Sequence, residues 1–240
     1  MQAWYYEGMQ KKERKVAFFD IDGTIFRSSL LIELVEELAK QDIFPKDAVK
    51  VYEHERNRWL DRKGTYEEYI DKVVLAFMKH VKGVYYGDLK DAGKAVMKRY
   101  QHRVYRYTRM LVSEYAKRGY MLVAISHSPK AIVDSFCKRM GFDKVYGMVY
   151  DIGPTDCFTG EIIDEHLIRN KGSIVRRVVE KEGVTLTGSV AVGDTEGDIA
   201  MLEAVQKPIC FNPNQALYRY AKRRGWKVIV ERKDVVYTIE

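Results

Sequence analysis

The residues of this 240-residue chain that could do chemistry stand in four places. Asp20 and Asp22 interrupt the apolar run VAFFDIDGTIF (16–26). Ser126 closes VAIS and is followed by His127 and Ser128. Lys171 lies in NKGS (170–173), and Asp194 and Asp198 frame DTEGD. Each has an ordinary explanation alone. Asp-Gly marks a turn, serines are common at strand ends, NKGS is a plain helix start, and acids at a helix start complement its dipole. Together they point elsewhere. Two acids at strand spacing project the same way and repel unless a cation or a shared proton intervenes. A lysine at a helix N-terminus opposes the dipole. A spacing of four puts Asp194 and Asp198 on one face of a starting helix. Asp22-Gly23-Thr24 makes a tight bend whose backbone amides are expected to face an anion. Acids, a hydroxyl and a lysine at separate element ends imply one charged site. Its oxygen donors suit a hard cation, with Mg2+ the usual one.

The elements that must position these groups follow from pattern. Residues 16–20 read as a buried strand ended by Gly23-Thr24. Ser28 and Ser29 are N-cap candidates for a helix carrying Leu30, Leu31, Leu34, Val35 and Leu38, which stops before Pro45. Residues 47–60 and 65–81 read as helices, 83–87 as a break, and a further continuous helix is expected from about 88 to 118, ended by Gly119. Strands are expected at 120–125, 144–150, 189–192, 208–211 and 227–230. A small hairpin is expected at 158–162, and helices at 130–140, 171–182 and 199–204. Strands alternating with helices predict an α/β fold: a Rossmann-like, doubly wound parallel sheet core with an inserted helical cap domain. The core is assigned to 1–26 and 107–240 and the helical cap to 27–106. In such a sheet, chemistry sits beyond the carboxyl ends of the strands, where all four motifs fall.

Bulk properties narrow the classes. With 46% hydrophobic and 31% charged residues the composition is that of an ordinary globular protein. The net charge is +7. Its densest basic stretch holds Arg99, Arg103, Arg106 and Arg109, whose spacing predicts one wet helix face. Smaller basic runs lie at 11–15 and 222–224. Cys137, Cys157 and Cys210 are odd in number and far apart, so neither a disulfide framework nor a metal motif is indicated. No stretch approaches a membrane span, and no signal-peptide core is evident. The expectation is a cytoplasmic protein without a membrane partner. Residues 1–10 read as a loose lead-in, with Met9 an alternative start.

FFDIDGTIF, VAISHS, NKGS and VGDTEGD, in this order, resemble the four motifs of the haloacid dehalogenase-like (HAD) phosphatases. The resemblance covers about 15–26 and 107–212. The helices between the first two motifs resemble the C1 cap of the phosphoserine-phosphatase-like subgroup. The resemblance implies a Mg2+-dependent phosphatase acting on a phosphorylated small molecule through an aspartyl-phosphate. Asp20 would be the nucleophile, already ionised and needing no base. Asp22 would be general acid and then base. Ser126 would bind a phosphoryl oxygen, and Lys171 would pair with Asp20 and the phosphate. Asp20, Asp194 and the backbone carbonyl of Asp22 would hold the metal, with Asp198 behind them. Thr24 would support the loop or phosphate, and His127 would touch the substrate or serve structure. Arg27 beside the cap hinge is left open in the same way.

Three positions depart from the phosphoserine pattern. Ser29 stands where those enzymes carry a Glu facing the substrate amine. His127 and Ser128 replace two glycines, and Gly197 replaces an Asn. The first departure removes the obvious amine partner. Rival readings are a phosphotransferase or mutase of the same superfamily, a nucleic-acid-associated module, and a non-catalytic scaffold. The nucleic-acid reading rests on Tyr100, Tyr105 and Tyr107 among the basic residues. It is disfavoured because tyrosines at helical spacing more often pack on a core. A scaffold would have no use for the whole charged set.

Overall fold

A computed structural model of the protein describes residues 14–239. The lead-in at 1–10 and most of the basic run 11–15 lie outside the described residues. The chain order is β1 (Lys15–Asp20), α1 (Leu30–Lys40), α2 (Lys50–Leu60), α3 (Tyr66–Val81), α4 (Tyr86–Tyr100), α5 (Arg106–Lys117), β2 (Met121–Pro129), α6 (Lys130–Met140), β3 (Lys144–Ile152) and β4 (Phe158–Ile163). It continues with α7 (Glu165–Arg169), α8 (Lys171–Glu182), β5 (Thr185–Gly193), α9 (Ile199–Glu203), β6 (Lys207–Phe211), α10 (Gln215–Arg224), β7 (Lys227–Arg232) and β8 (Val235–Ile239).

The sheet runs β4-β3-β2-β1-β5-β6-β7-β8. All pairs from β3 to β7 are parallel, and β4 and β8 are antiparallel edges. The fold is therefore the expected α/β class with a mostly parallel sheet. Period-two alternation in β1 explains how both faces are covered. Ala17 and Phe19 enter one hydrophobic cluster with α5 and α6, while Val16 and Phe18 enter the other with α8, α9 and α10. The topological switch point lies at β1, flanked by β2 and β5, so Asp20 ends the central strand.

Helices α1 to α4 leave the core after Phe26 and return at Val104. These two residues pair as an antiparallel bridge, backed by Arg27 N to Arg103 O (2.9 Å) and Tyr105 N to Ile25 O (2.9 Å). That pairing corrects the continuous helix expected from 88 to 118. Residues 101–102 turn out of the helix and 103–105 form an extended return, where tertiary hydrogen bonding overrides helix propensity. The basic residues accordingly share no single helix face. Arg99 and Arg103 bond Glu37 and Glu33 of α1, and Arg106 reaches the Asp234 carbonyl. Tyr105 and Tyr107 pack on Phe211, edge-on at 4.9 Å and stacked at 5.9 Å, as core residues do. Tyr100 lies beneath the Arg103 guanidinium at 3.9 Å.

Helix α4 lies on α6 where Gly93 faces Ile132. The β3–β4 hairpin also reaches the helical segment, through Gly83 N to Phe158 O (2.8 Å) and Phe158 N to Val84 O (2.9 Å). Among the described residues no helix is long and apolar enough to cross a membrane. The three cysteines are free.

Candidate active site

Asp20 ends its strand buried, and its two oxygens have different company. Lys171 Nζ lies 2.5 Å from Asp20 Oδ1 and 2.6 Å from Asp198 Oδ1, with all three side chains almost fully buried. Asp20 Oδ2 is buried and unbonded among the described residues. One carboxylate oxygen from each of Asp20, Asp194 and Asp198 lies within 4.8 Å of the others. Three acids thus share a site with one ammonium, which pairs with two of them. Burial pushes Asp20 up to about 7; Lys171 opposes this, and Asp198 and Asp22 add to it. Burial likewise raises Asp194 well above the carboxylate range, with Asp20 and Asp198 contributing. For Lys171, burial alone favours the neutral amine, but Asp198 and Asp20 outweigh it and raise its pKa, so it stays charged. An oxygen-only donor set with surplus negative charge and one orphaned oxygen fits a hard divalent cation.

Local backbone rules explain how the groups converge. Thr24 Oγ1 donates to Asp194 Oδ1 (3.1 Å), and Thr108 Oγ1 holds the Thr24 carbonyl (2.9 Å). Between them Gly23 takes φ +80°, and a Cβ there would stand 2.1 Å from Asp194 Oδ2, so only glycine fits. Asp198 Oδ2 accepts from the backbone amides of Asp194 (2.9 Å) and Thr195 (3.1 Å). With Oδ1 on Lys171, Asp198 has both oxygens committed and positions its neighbours. It lies in a short 3-10 turn, not beside Asp194 on one helix face as its spacing predicted. Asn170 caps α8 and sets Lys171 at its first position.

Asp22 departs from the expected arrangement. Its carboxylate is outside the acidic triad; Oδ1 accepts from the Leu30 amide (2.6 Å) and Oδ2 from Ser126 Oγ (2.5 Å). The first turn of α1 therefore starts on Asp22, with Ser29 and Ser128 both accepting from the Leu31 amide. The bend after Asp22 does not turn the Gly23 amide toward an anion; it bonds the carbonyls of Phe26 and Ser28. Ser126 sits at the site, bonded to Asp22 and accepting from the Ser128 amide. His127 Nε2 donates to the Ile168 carbonyl at 3.1 Å, tying β2 to α7. Burial, which disfavours the charged imidazolium, and then the Lys171 charge lower the His127 pKa. Arg27 lies over the Tyr105 ring at 5.5 Å.

Sequence reasoning missed the face of the helical segment that meets this site. The Tyr66 phenol in the first turn of α3 is raised well above its usual range by burial, then by the Asp22 and Asp194 charges. The adjacent Glu67 carboxyl is raised, first by the charge of Glu196 and then by burial. Asn214 donates to Glu196, and its amide holds the Asp194 carbonyl (2.8 Å). No motif marks these residues. The one available signal was the start of α3 itself, where Thr65 and Glu68 form a capping box.

Comparison with known proteins agrees with this geometry. The chain is 25% identical over 223 residues to the inhibition of morphological differentiation protein of Streptomyces azureus, covering 90% of this chain and 78% of that one. It is 23% identical over 228 residues to a phosphoserine phosphatase of Methanocaldococcus jannaschii, covering 94% and 96%. A solved structure described as a phospho-aspartyl intermediate analogue of phosphoserine phosphatase superposes with TM-score 0.60 at 22% identity, covering 93% and 96%; it shares the fold. The haloacid dehalogenase-like hydrolase family profile matches residues 17–203, and the chain belongs to that family of hydrolases.

Proposed function

We propose that this hydrolase is a Mg2+-dependent phosphatase that cleaves a small-molecule phosphomonoester through an aspartyl-phosphate on Asp20. The observation that carries the reading is the divided state of Asp20: Oδ1 is fixed by Lys171, and Oδ2 is buried and free. Oδ2 attacks phosphorus while the ester P–O bond breaks. The departing oxygen takes a proton from Asp22, and the alcohol leaves. Asp22 then takes a proton from water, whose oxygen attacks phosphorus. The Asp20–phosphorus bond breaks, and phosphate is released. Ser126, whose hydroxyl bonds Asp22, turns it to a phosphoryl oxygen in this reading. Lys171 keeps its charge beside the attacking group throughout. Asp20, Asp194 and the Asp22 carbonyl would hold Mg2+, with Asp198 fixing the Asp194 loop. The ion would offset repulsion between carboxylate and phosphate.

The helical segment 27–106 acts in this reading as the cap that excludes water and selects the alcohol. Phosphoserine enters as a candidate through the relatives. Ser29, at the amine-facing position, already uses its hydroxyl to cap α1, which weighs against an amino-acid substrate. The test is phosphate release from phosphoserine, histidinol phosphate, phosphoethanolamine, glycerol phosphates, sugar phosphates and nucleotides, with Mg2+ and with chelator. Release should require metal and vanish in Asp20→Asn with the fold kept. Unchanged turnover in that variant refutes the mechanism, and product that forms only with an added acceptor identifies a transferase.

A further inference from the structure

Ser128 closes a ring of hydrogen bonds around the Asp22 carboxylate. Between Ile125, which pairs with Tyr146, and Pro129, which pairs with Met148, strand β2 advances four residues while β3 advances two. The extra residues leave the ladder, which frees the polar groups of 126–128 to turn toward α1 and Asp22. Ser128 is itself buried, only 2% exposed. Its hydroxyl accepts from the Leu31 amide (3.1 Å), and its amide donates to Ser126 Oγ (2.9 Å). The Leu30 amide and the Ser126 hydroxyl then meet the two oxygens of Asp22, Oδ1 at 2.6 Å and Oδ2 at 2.5 Å. Ser29 accepts from the same Leu31 amide (3.2 Å), but from two residues away on its own chain segment. It caps α1 without joining it to β2. Among the described residues Ser128 alone bonds both arms of the ring.

We propose that Ser128 is a positioning residue for proton delivery by Asp22, holding the start of α1 against Asp22 Oδ1 while Ser126 serves the phosphate. The inference rests on the phosphatase reading and names a residue and an oxygen that this reading leaves open. When the Ser126 hydroxyl turns to a phosphoryl oxygen, it gives up Asp22 Oδ2. That oxygen then carries the proton, because Oδ1 already accepts from the Leu30 amide. From that moment the Leu30 amide alone, among the described residues, holds the carboxylate. Its place depends on the next amide, at Leu31, which Ser128 fixes to β2 across 97 residues of chain. Without the Ser128 hydroxyl the helix start keeps its local cap at Ser29 but loses its tie to the strand that carries Ser126. The Asp22 carboxylate then drifts with it, and a proton donor that drifts from the leaving oxygen loses rate. Ser128 touches neither the phosphate nor the leaving oxygen in this scheme, and no covalent bond to it forms or breaks.

The test compares two esters of nearly the same shape, phenyl phosphate and 4-nitrophenyl phosphate, with Mg2+ present. The nitrophenolate disperses its own charge and needs a well-placed acid less. Wild type is set beside Ser128→Ala, Ser29→Ala, Asp22→Asn and Asp20→Asn. Ser128→Ala should lower kcat about tenfold on phenyl phosphate and less than about threefold on 4-nitrophenyl phosphate, with KM within about twofold on both. Asp22→Asn should show the same split, larger. Ser29→Ala removes the other acceptor of the same amide, so its melting temperature should fall as far as that of Ser128→Ala. Both esters should then lose less than about threefold, because the tie to β2 remains. If Ser128→Ala does not fold, Ser128→Cys carries the comparison, since it keeps a side chain of similar shape with a weaker acceptor. Equal losses on both esters, no loss, or a profile matching Ser29→Ala make Ser128 a second cap and overturn its role, with the phosphatase reading intact. Equal losses on both esters in Asp22→Asn overturn Asp22 as the acid, and the inference with it. Phosphate release that survives Asp20→Asn, or no release from either ester by wild type, overturns the phosphatase reading and this inference together.

Discussion

The cluster at the end of β1 and the ion pairs along α1 are built from the same kinds of group with opposite charge balance. Along α1, Glu33 meets Arg103 and Glu37 meets Arg99, each at 2.7 Å. Both acids are buried, and both guanidinium groups are 42% exposed, one cation per acid. For Glu37, burial would raise the pKa, but its bonds to Gln41 and Arg99 outweigh it and the carboxyl stays below its ordinary value. At β1, one sealed ammonium serves Asp20 and Asp198, with Asp194 beside them. There the balance fails and Asp20 rises to about 7. A protein that needed only to join elements would have no reason to bury the second kind. The α1 pairs hold the helical segment on its return strand, while the β1 cluster keeps a deficit that a cation and a substrate can fill.

The comparison breaks most visibly at Lys171. Lys171→Met removes the only ammonium among the described residues within bonding distance of Asp20 and Asp198 and leaves the acids facing one another. Turnover should fall below detection. Stability at pH 8 should drop by about 3–5 kcal/mol, the usual cost of breaking a buried pair, or about 10 °C or more in Tm. At pH 5 the loss should shrink, because the acids can protonate. An unchanged Tm at pH 8 would mean that Lys171 does not balance the site.

A smaller effect sharpens the contrast through pH. The folded-state pKa of Asp20 lies near 7 against 3.8 for the free side chain. Between these values the folded chain holds a proton that the unfolded chain has shed. Metal-free stability therefore falls as pH rises from about 4 to 7, and the penalty is complete above the folded value. Mg2+ binds the ionised carboxylates, so its stabilising increment should run the other way, slight at pH 5 and full at pH 8. Melting curves with Mg2+ and with chelator across that range measure both slopes. Asp194→Asn should abolish the Mg2+ increment at every pH. A larger increment at pH 5 than at pH 8 would contradict the charge deficit.

These two tests concern groups that the sequence disclosed, because their signal is local. Asp20, Lys171, Asp194 and Asp198 sit at element ends that periodicity marks, and helices 130–140 and 171–182 end where Gly141 and Gly183 take left-handed caps. What stayed hidden depends on distant chain. The break at 101–105 carries no glycine or proline; it exists because Val104 pairs with Phe26. Helix α10 buries only Leu217 and Ala221, too thin a stripe for a pattern to stand out, although Asn214 caps it. Strand β8 is a largely exposed edge. Asp22 was legible as an acid just past a strand end, but its bonds to Leu30 and Ser126 depend on where α1 and β2 meet it.

The smallest effect belongs to the balanced pairs. Arg103→Ala leaves Glu33 buried without its arginine. Burial already raises Glu33 despite Arg103, so the carboxyl can answer the loss by taking a proton, as a half-open site permits. The cost in stability should be about 1 kcal/mol, because water reaches the guanidinium side of the pair. Turnover should change by less than about threefold, since no site group bonds to Arg103. Glu33→Gln added to Arg103→Ala should recover part of the loss, with a coupling of about 1 kcal/mol in the double-mutant cycle. Phosphate release and thermal melts on the four proteins measure it. If Arg103→Ala abolished turnover as Lys171→Met should, charge balance would not separate structural from catalytic ion pairs here. The return strand at Arg103 would then have to be counted among the groups that set Asp22 in place, through Arg27 and the loop it closes.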